Sequence, residues 1–186
     1  YAVFAAMTTV VANKGLSILI SYGYLMICFM GGLLFFTTVI LWIIAAVNGI
    51  NYWKLIKELK EALLISFSTA SSEASFPQTI AALEKFGCSR RIVGFVLPLG
   101  YSFNLDGSML YMTFATGFIA QAYGVHLSLE QQITMLLTLM ITSKGIAGVP
   151  RASLVIIAGT LTMFNLPAEG IALLLGVDPF LDMGRT

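Results

Sequence analysis

Charged side chains are scarce in this chain of 186 residues, which has ten Lys and Arg, nine Asp and Glu and one His. Charged residues make up 10% of the sequence and apolar residues 58%, whereas charged residues are about a quarter of an average soluble domain. The mean hydropathy of +0.91 therefore predicts a protein embedded in a lipid bilayer. The net charge of +1 and the lack of any block of like charges exclude nucleic acid as a partner attracted by bulk charge.

Cysteine and histidine are too few to suggest a metal centre or a nucleophile with its base. Cys28 and Cys88 occur singly, without a Cys-x-x-Cys pair or a neighbouring His, which is typical of inert thiols. His126 belongs to a polar loop, and the aspartates near the C-terminus have an arginine beside them, so an intramembrane hydrolase is not favoured. The sequence predicts that the protein is not an enzyme and that it needs no cofactor.

Residues 15–53 contain no Asp, Glu, Lys or Arg. Since about 20 apolar residues already cross a bilayer, this run predicts one long tilted helix that ends at the charged segment 54–61. Residues 1–12 lack the charged start and the cleavage site of a signal peptide, and are interpreted as the tail of a membrane helix in a chain that begins mid-protein. The first region, 1–50, is thus predicted to hold the end of one membrane helix and a following transmembrane helix.

Two short segments interrupt apolar stretches with residues that break helices, namely 68–77 (STASSEASFP) and 143–150 (SKGIAGVP). In lipid an unpaired backbone group costs several kcal/mol, so irregular backbone survives at membrane depth only where it lines a site. Matching interruptions in the two halves of a chain are typical of transporters. We therefore expect two re-entrant helical hairpins, over 55–88 and 130–165.

Basic residues set the expected orientation of these hairpins. Clusters at 54–61 and 84–91 flank the first hairpin and place its base in the cytoplasm by the positive-inside rule, whereas the loops beside the second hairpin lack Lys and Arg. A full span at 91–122 is interrupted near its middle by Asn, Asp and Gly, and a last helix is predicted over 168–186. This order predicts an all-α multi-pass membrane protein with an inverted-repeat transport domain over 51–186.

Asp178, Asp182 and Arg185 are spaced to project from one face of the last helix. Ionised groups in a membrane segment are costly and usually face a cavity or a pathway. A guanidinium can hold a carboxylate through two hydrogen bonds, and an aspartate can accept from an ammonium. The trio therefore favours a site for a zwitterionic or acidic solute, and the alternative is an internal Asp182–Arg185 ion pair.

Polar residues at the interruptions suggest further ligands. Asn104 and Asp106 offer oxygen atoms beside carbonyls freed by the helix break, which suits Na⁺ or, alternatively, a buried hydrogen-bond network. Ser71 and Ser72 either cap the first hairpin or donate to a bound carboxylate. The position of these serines at the tip favours the second interpretation.

Three segments taken together, 98–107 (PLGYSFNLDG), 143–150 and 176–186 (GVDPFLDMGRT), resemble the dicarboxylate/amino acid:cation symporter family, over nearly the whole chain. The resemblance implies a homotrimeric elevator transporter in the cell inner (plasma) membrane, of which this chain is a truncated transport domain. It implies uptake of glutamate or aspartate coupled to Na⁺ or H⁺. A C4-dicarboxylate symporter of the same family is the alternative, and a passive channel is a distant one.

The resemblance also implies roles for individual residues. Arg185 would bind the side-chain carboxylate of the substrate and Asp182 its ammonium, while Ser72 and Ser108 would donate to carboxylates and the Ala70 main chain would line the pocket. The implied substrate-binding residues are Ser71, Ser72, Ser108, Gly148, Val149, Asp182, Arg185 and Thr186. The implied cation ligands are Gly100, Ser102, Asn104, Asp106, Ser143, Lys144 and Ile146.

Some positions depart from the family pattern. Met112 stands where the animal glutamate carriers have a glutamate linked to potassium coupling, so potassium counter-transport is not expected. Arg151 occupies a position where many relatives have Gly or Gln, and it adds a cation near the pocket. Asp182, which carriers of plain C4-dicarboxylates tend to lack, favours an amino acid as substrate. Glu73 and Lys144 lie at the two hairpin tips, and the sequence assigns their side chains no firm role.

Overall fold

The computed structural model describes residues 17–144 and 150–186, together with residues 5, 8, 11, 12 and 15. Throughout this part of the chain the regular structure is helical, which confirms the all-α prediction. In chain order the helices are α1 (Ser17–Val47), α2 (Tyr52–Thr69), α3 (Phe76–Phe86), α4 (Arg90–Phe103), α5 (Asp106–Ala122), α6 (Leu129–Thr142), α7 (Ala152–Met163), α8 (Ile171–Leu174) and α9 (Asp178–Arg185).

Helix α1 has 31 residues and, within the described part of the chain, is the one helix long and apolar enough to cross a membrane by length and composition. The prediction of an unbroken helix up to the charged segment is wrong, because α1 ends at Val47. Gly49 adopts a left-handed φ of 67° and turns the chain. Asn51 then accepts the Lys54 N–H through its side chain and caps α2.

A π-helical turn at Phe36–Ile40 interrupts α1 near its C-terminal end. The Tyr52 hydroxyl, at the start of α2, donates to the Thr37 carbonyl at 2.6 Å. An unpaired carbonyl is costly where water is excluded. The tyrosine therefore gives this carbonyl of the π turn a donor and ties the end of α1 to the start of α2.

Helices α2 and α3 form a hairpin whose two arms are joined near both ends. At the tip, Ala70 adopts a left-handed φ of 49° and ends α2, and the Ser66 and Ser75 hydroxyls are hydrogen-bonded at 2.6 Å. At the base, Lys85 Nζ lies 2.7 Å from a Glu58 carboxylate oxygen. These contacts make the arms antiparallel, with the irregular segment at the tip.

The next span is interrupted between α4, which ends at Phe103, and α5, which begins at Asp106. At the start of α5, Gly107 lies against the backbone of α9, and an added Cβ atom would be 2.2 Å from the Arg185 carbonyl oxygen. Only a glycine allows this approach. The second half of the broken span is therefore held directly against the last helix.

Helix α5 is the centre of the described core and contacts α1, α6, α7, α8 and α9. Tyr111, Met112 and Ile119 of α5 are fully buried. The Tyr22 hydroxyl of α1 donates to the Leu173 carbonyl of α8 across this core. Helix α9 also packs on α1 and on α2, so it lies between the first hairpin and the core.

In the second half of the chain α6 and α7 lie on either side of residues 145–149, which are outside the described part, and the last helix is shorter than predicted. Helix α6 begins with a capping box in which Ser128 and Gln131 exchange hydrogen bonds. The prediction of one last helix over 168–186 is wrong, because α8 ends at Leu174 and α9 begins at Asp178. Pro179 lacks an N–H and suits the first turn of a new helix, which explains the restart.

Candidate functional site

The charged residues of α9 are all buried, although the helix has only eight residues. The exposed fractions of Asp178, Asp182 and Arg185 are 0%, 1% and 6%. Burying an ionised group is unfavourable unless it is paired and hydrogen-bonded. The contacts of these three side chains therefore decide what the site can bind.

Arg185 and Asp182 form a buried ion pair through Nε and Oδ1, which is the alternative that the sequence left open. Each partner has a second contact outside α9. Arg185 Nη1 donates to the Ser108 hydroxyl of α5 at 2.9 Å, and Asp182 Oδ2 accepts the main-chain N–H of Arg151 at 2.9 Å. The pair thus joins three parts of the chain: the last helix, the broken span and the second hairpin.

Asp178 has a separate set of partners. The Tyr111 hydroxyl donates to its Oδ1, and Arg151 Nε lies 3.5 Å from its Oδ2, within ion-pair distance. Tyr111 was not among the predicted site residues. Its position three residues after Ser108 places both side chains on one face of α5, and this spacing is the sequence feature that could have identified it.

Arg151 is the residue that connects the second hairpin to α9. It precedes α7 and has a left-handed φ of 64°, a conformation that is uncommon for residues other than glycine. Its main chain contacts Asp182 and its guanidinium contacts Asp178, while 52% of its side chain remains exposed. The Arg151 guanidinium, which was predicted to add a cation near the pocket, therefore pairs with Asp178 of α9.

The tip of the first hairpin is organised by its own serines. The Ser71 side chain is buried, and its hydroxyl accepts the Ala74 N–H at 3.4 Å. The Ser72 carbonyl accepts the Ser75 hydroxyl at 3.0 Å. The Ser71 hydroxyl therefore makes a capping contact, the alternative that the sequence offered to substrate binding, whereas Ser72 contributes its main-chain carbonyl and no side-chain cap. Packing of α9 on α2 brings this hairpin beside the buried ion pair.

Thr186 lies at the edge of the site rather than in the charge network. Its hydroxyl donates to the Asp182 main-chain carbonyl at 2.8 Å. It also lines a cavity of about 460 Å³ between α2 and α9, with Lys60, Ser66 and Met183 among its neighbours. Thr186 therefore closes the last turn of α9 and faces the cavity beside the first hairpin.

The predicted cation ligands are brought together only in part. The Gly100 carbonyl already accepts the Asn104 N–H at 2.9 Å, as the end of α4 requires. Asn104 and Asp106 have exposed side chains, and Ser102 is half-buried. Within the described part of the chain there is no group of three or more His, Cys, Asp or Glu residues that could hold a metal ion.

The end of α6 does reach the break in the span. Ser143 is buried, and its hydroxyl donates to Met109 Sδ at 3.3 Å and to the Met140 carbonyl at 3.2 Å. Lys144 Nζ donates to the Phe103 carbonyl at 2.5 Å. The other predicted ligands of the second tip, Ile146, Gly148 and Val149, lie outside the described residues.

Comparison with known proteins assigns the chain to a family. The model of the sodium:dicarboxylate symporter family matches residues 1–186. The proton/sodium-glutamate symport protein of Bacillus caldotenax is 47% identical over 186 residues, which are 100% of this chain and 44% of that protein. The proton/glutamate-aspartate symporter of Escherichia coli (strain K12) is 48% identical over 184 residues, 99% of this chain and 42% of the relative.

A relative with a different substrate name is almost as similar. The C4-dicarboxylate transport protein of Erwinia tasmaniensis is 43% identical over 183 residues, which cover 98% of this chain and 43% of that protein. The chain therefore spans less than half the length of these curated relatives. From the full-length match and these identities, the chain belongs to the sodium:dicarboxylate symporter family.

Proposed function

We propose that the protein containing this chain takes up glutamate or aspartate by symport with Na⁺ or H⁺. The observation that carries the proposal is the buried Asp182–Arg185 pair, which contacts α5 through Ser108 and the second hairpin through Arg151. The glutamate symporters that are 47% and 48% identical to the chain support the same substrate class.

The ion pair has the two charges that an acidic amino acid needs. A carboxylate of the substrate would accept two hydrogen bonds from the guanidinium of Arg185, and the Ser108 hydroxyl, which lies beside that guanidinium, would be a further donor. The ammonium of the substrate would form an ion pair with the Asp182 carboxylate. Each buried charge would then exchange an internal partner for an external one, so that neither is left unpaired in the bound state.

A C4-dicarboxylate is the second candidate substrate. The relative named for this substrate class is 43% identical, and the Arg151 guanidinium adds a second cation close to α9. A dicarboxylate, however, has no ammonium to replace Arg185 as the partner of Asp182. This difference favours the amino acid.

The second hairpin would act as the gate in this mechanism. The hydrogen bond from the Arg151 main chain to Asp182 joins the base of its tip to the residue that would receive the substrate ammonium. A ligand can shift the open and closed populations only by binding them with different affinity. Competition between the substrate and the Arg151 N–H for Asp182 supplies such a difference.

The architecture around this site belongs to the same proposal. It is a homotrimer in the inner membrane, in which the domain over residues 51–186, with hairpins at 55–88 and 130–165, moves as an elevator. Supporting this are the antiparallel hairpin of α2 and α3, the interruption between α4 and α5, and the exposed apolar side chains of α1 and α4. No covalent chemistry is required of any residue.

The test is uptake of labelled glutamate, aspartate and succinate into liposomes that contain the complete protein, under separate Na⁺ and H⁺ gradients. We expect gradient-driven uptake of glutamate or aspartate in preference to succinate. Counterflow of labelled substrate without net ion current identifies a carrier rather than a channel, because exchange needs alternating access. Uptake of succinate alone would move the assignment to the dicarboxylate class, and uptake of none of the three would overturn the proposal.

A further inference from the structure

Asp178 is a buried acidic residue to which the proposed function gives no role. It begins α9 and is 0% exposed. The Tyr111 hydroxyl, which is equally buried, donates to its Oδ1. Its Oδ2 is also buried and accepts no hydrogen bond from the described residues. Since such an oxygen is costly in the interior, it points to a ligand that binds there in another state of the protein.

The charged and titratable groups that face Asp178 come from three parts of the chain. They are Tyr111 of α5, Arg151 of the second hairpin, and Asp182 and Arg185 of α9 itself. Helix α1 also packs on α9, but it has no Asp, Glu, Lys, Arg or His and meets α9 through apolar side chains such as Phe29 and Met30. On α2, Lys60 lines the cavity beside Thr186, at the opposite end of α9.

The charges around α9 balance one another before any substrate binds. Asp178 and Asp182 are two acids, and Arg151 and Arg185 are two bases. Glutamate and aspartate have two carboxylates and one ammonium, so either substrate would leave this group with an unbalanced negative charge. An uncompensated charge is strongly unfavourable where water is excluded. A cation that enters with the substrate restores the balance.

The surroundings of Asp178 Oδ2 suit a proton rather than a metal cation. A hard metal cation needs several oxygen ligands at once, whereas the charged atom beside this oxygen is the donor Nε of Arg151, at 3.5 Å. A proton needs one oxygen with a free lone pair. The hydrogen bond from Tyr111 goes to Oδ1, so it can persist whether Oδ2 is protonated or not.

We propose that Asp178 is the proton-binding residue of the symporter. Oδ2 takes up one proton from the outer aqueous phase when the substrate binds, and releases it to the cytoplasm with the substrate. The new O–H bond neutralises the carboxylate and frees the guanidinium of Arg151, a side chain that is 52% exposed, to balance a substrate carboxylate. The inference rests on the proposed function for its substrate, and it assigns H⁺ as a coupling ion.

The test compares proton uptake and substrate binding in the complete protein. It is purified as wild type, Asp178→Asn, Tyr111→Phe and Glu130→Gln. Asparagine keeps the size of Asp178 and resembles its protonated form, while Glu130 is an exposed acid in the first turn of α6 and provides the matched control. Calorimetric titration with glutamate, in two buffers of different ionisation enthalpy, gives the number of protons taken up per substrate. Infrared difference spectra between acidic and alkaline pH detect a protonated buried carboxyl without any substrate.

The pH range should lie between about 6 and 8, where the carboxylates and the ammonium of glutamate do not titrate. We expect wild type and Glu130→Gln to take up about one proton per glutamate, so that affinity rises about tenfold for each unit by which the pH falls. Asp178→Asn should bind glutamate without proton uptake and with an affinity independent of pH. Tyr111→Phe should keep the uptake but shift the profile to higher pH, because the hydroxyl favours the ionised carboxylate.

Equal proton uptake by wild type and Asp178→Asn, or binding of glutamate to wild type without uptake, would overturn the inference. If Asp178→Asn does not fold, Tyr111→Phe decides: a shifted profile supports the proton site, and a profile identical to that of wild type contradicts it. If wild type binds no glutamate, the proposed function fails, and the infrared spectra decide on the proton site separately. A carboxyl band that Asp178→Asn lacks supports it, and identical spectra overturn it.

Discussion

At the scale of single residues, the site is built from buried acidic and basic side chains of α9 that pair with one another and with Arg151. Asp182 divides its two carboxylate oxygens between Arg185 and the Arg151 main chain, and Asp178 divides its own between Tyr111 and the Arg151 guanidinium. Removing one member of such a set leaves a buried charge without its partner, which is strongly destabilising. Substitutions here must therefore be compared by substrate preference as well as by total activity.

Asp182→Asn should separate the two candidate substrates. The amide keeps the size of the side chain but loses the charge that pairs with an ammonium, a charged hydrogen bond worth about 2 kcal/mol, or about 30-fold in affinity. We expect glutamate uptake to fall by about that factor more than succinate uptake. Arg185→Ala, which removes the guanidinium proposed to bind a substrate carboxylate, should abolish uptake of both glutamate and succinate. Equal losses for the two acids in Asp182→Asn would refute the ammonium role.

Gly107→Ala should destabilise the contact between α5 and α9. The added methyl group would lie 2.2 Å from the Arg185 carbonyl oxygen, and overpacking of this kind costs about 1–3 kcal/mol. Gly117→Ala is the matched control on the same helix, since its methyl group would meet no heavy atom of the described residues within 4 Å. Thermal unfolding should show a lower midpoint for Gly107→Ala only. A midpoint like that of wild type would mean that the two helices separate freely at this point.

At the scale of elements, short helices are stabilised by contacts at their ends. In the π turn of α1, the Thr37 carbonyl accepts a hydrogen bond from Tyr52. Helix α6 is capped by Ser128, and an ion pair between Glu58 and Lys85 joins the two arms of the first hairpin at its base. Interrupted helices expose more terminal backbone groups than a continuous span, and those groups need partners where water is scarce. The end contacts therefore determine where each element begins and stops.

Tyr52→Phe tests the contact at the π turn. Losing the hydroxyl leaves the Thr37 carbonyl without this donor, which costs about 1–3 kcal/mol if the carbonyl stays buried. Tyr24→Phe on the exposed face of α1 is the control. Unfolding midpoints in nanodiscs should fall for Tyr52→Phe and stay constant for Tyr24→Phe. Equal midpoints would show that another donor replaces the tyrosine.

Glu58→Gln tests the base of the first hairpin through its pH dependence. The hydrogen bond from Lys85 lowers the pKa of the Glu58 carboxyl below its ordinary value of 4.5. A lowered pKa in the folded state contributes stability above pH 4.5, and this contribution is lost as the pH falls through the folded-state pKa. The difference in unfolding midpoint between wild type and Glu58→Gln should be small, because the Lys85 side chain of the pair is 74% exposed and water screens the interaction.

That difference should be present at pH 7 and should disappear well below pH 4.5. Glu61→Gln on the same helix serves as the control for removing one negative charge. A difference that persists unchanged into acid would show that the Glu58 carboxylate does not act through its charge.

At the scale of the whole molecule, the central element is α5, which contacts α1, α6, α7, α8 and α9. The start of this helix meets α9 through Gly107, and Met109 near the same end meets the end of α6 through Ser143. A shift of the second hairpin relative to α5 would therefore change contacts on both sides of the site. This arrangement links the helix break before α5 to the charged residues of α9 through direct contacts.

The opposite orientation of the two hairpins is the prediction that belongs to this scale. Ser72→Cys and Val149→Cys, each in a background with Cys28 and Cys88 replaced by serine, are labelled with an impermeant maleimide from either side of the membrane. The basic clusters beside the first hairpin predict labelling of position 72 from the cytoplasm and of position 149 from outside. Labelling of both from the same compartment in every condition would contradict the inverted repeat.

The sequence by itself determined the features that depend on neighbours in the chain. Helical spacing placed Asp178, Asp182 and Arg185 on one short helix, where they are all buried, and turn residues marked the tip at Ala70 and the break before Asp106. Such features follow from backbone preferences and side-chain periodicity, which act over a few residues. The early end of α1 at Val47 and the break before α9 were missed, although Gly49 and Pro179 mark both.

Only the tertiary structure decided which of these groups meet. Tyr111 reaches Asp178 across 67 positions, Arg185 reaches Ser108 across 77, and Lys144 reaches Phe103 across 41. No periodicity relates residues so far apart, because their contacts depend on how whole helices pack and on close approaches such as that of Gly107 to α9. The types of charge at the site can therefore be predicted from the chain, whereas their partners follow from the packing.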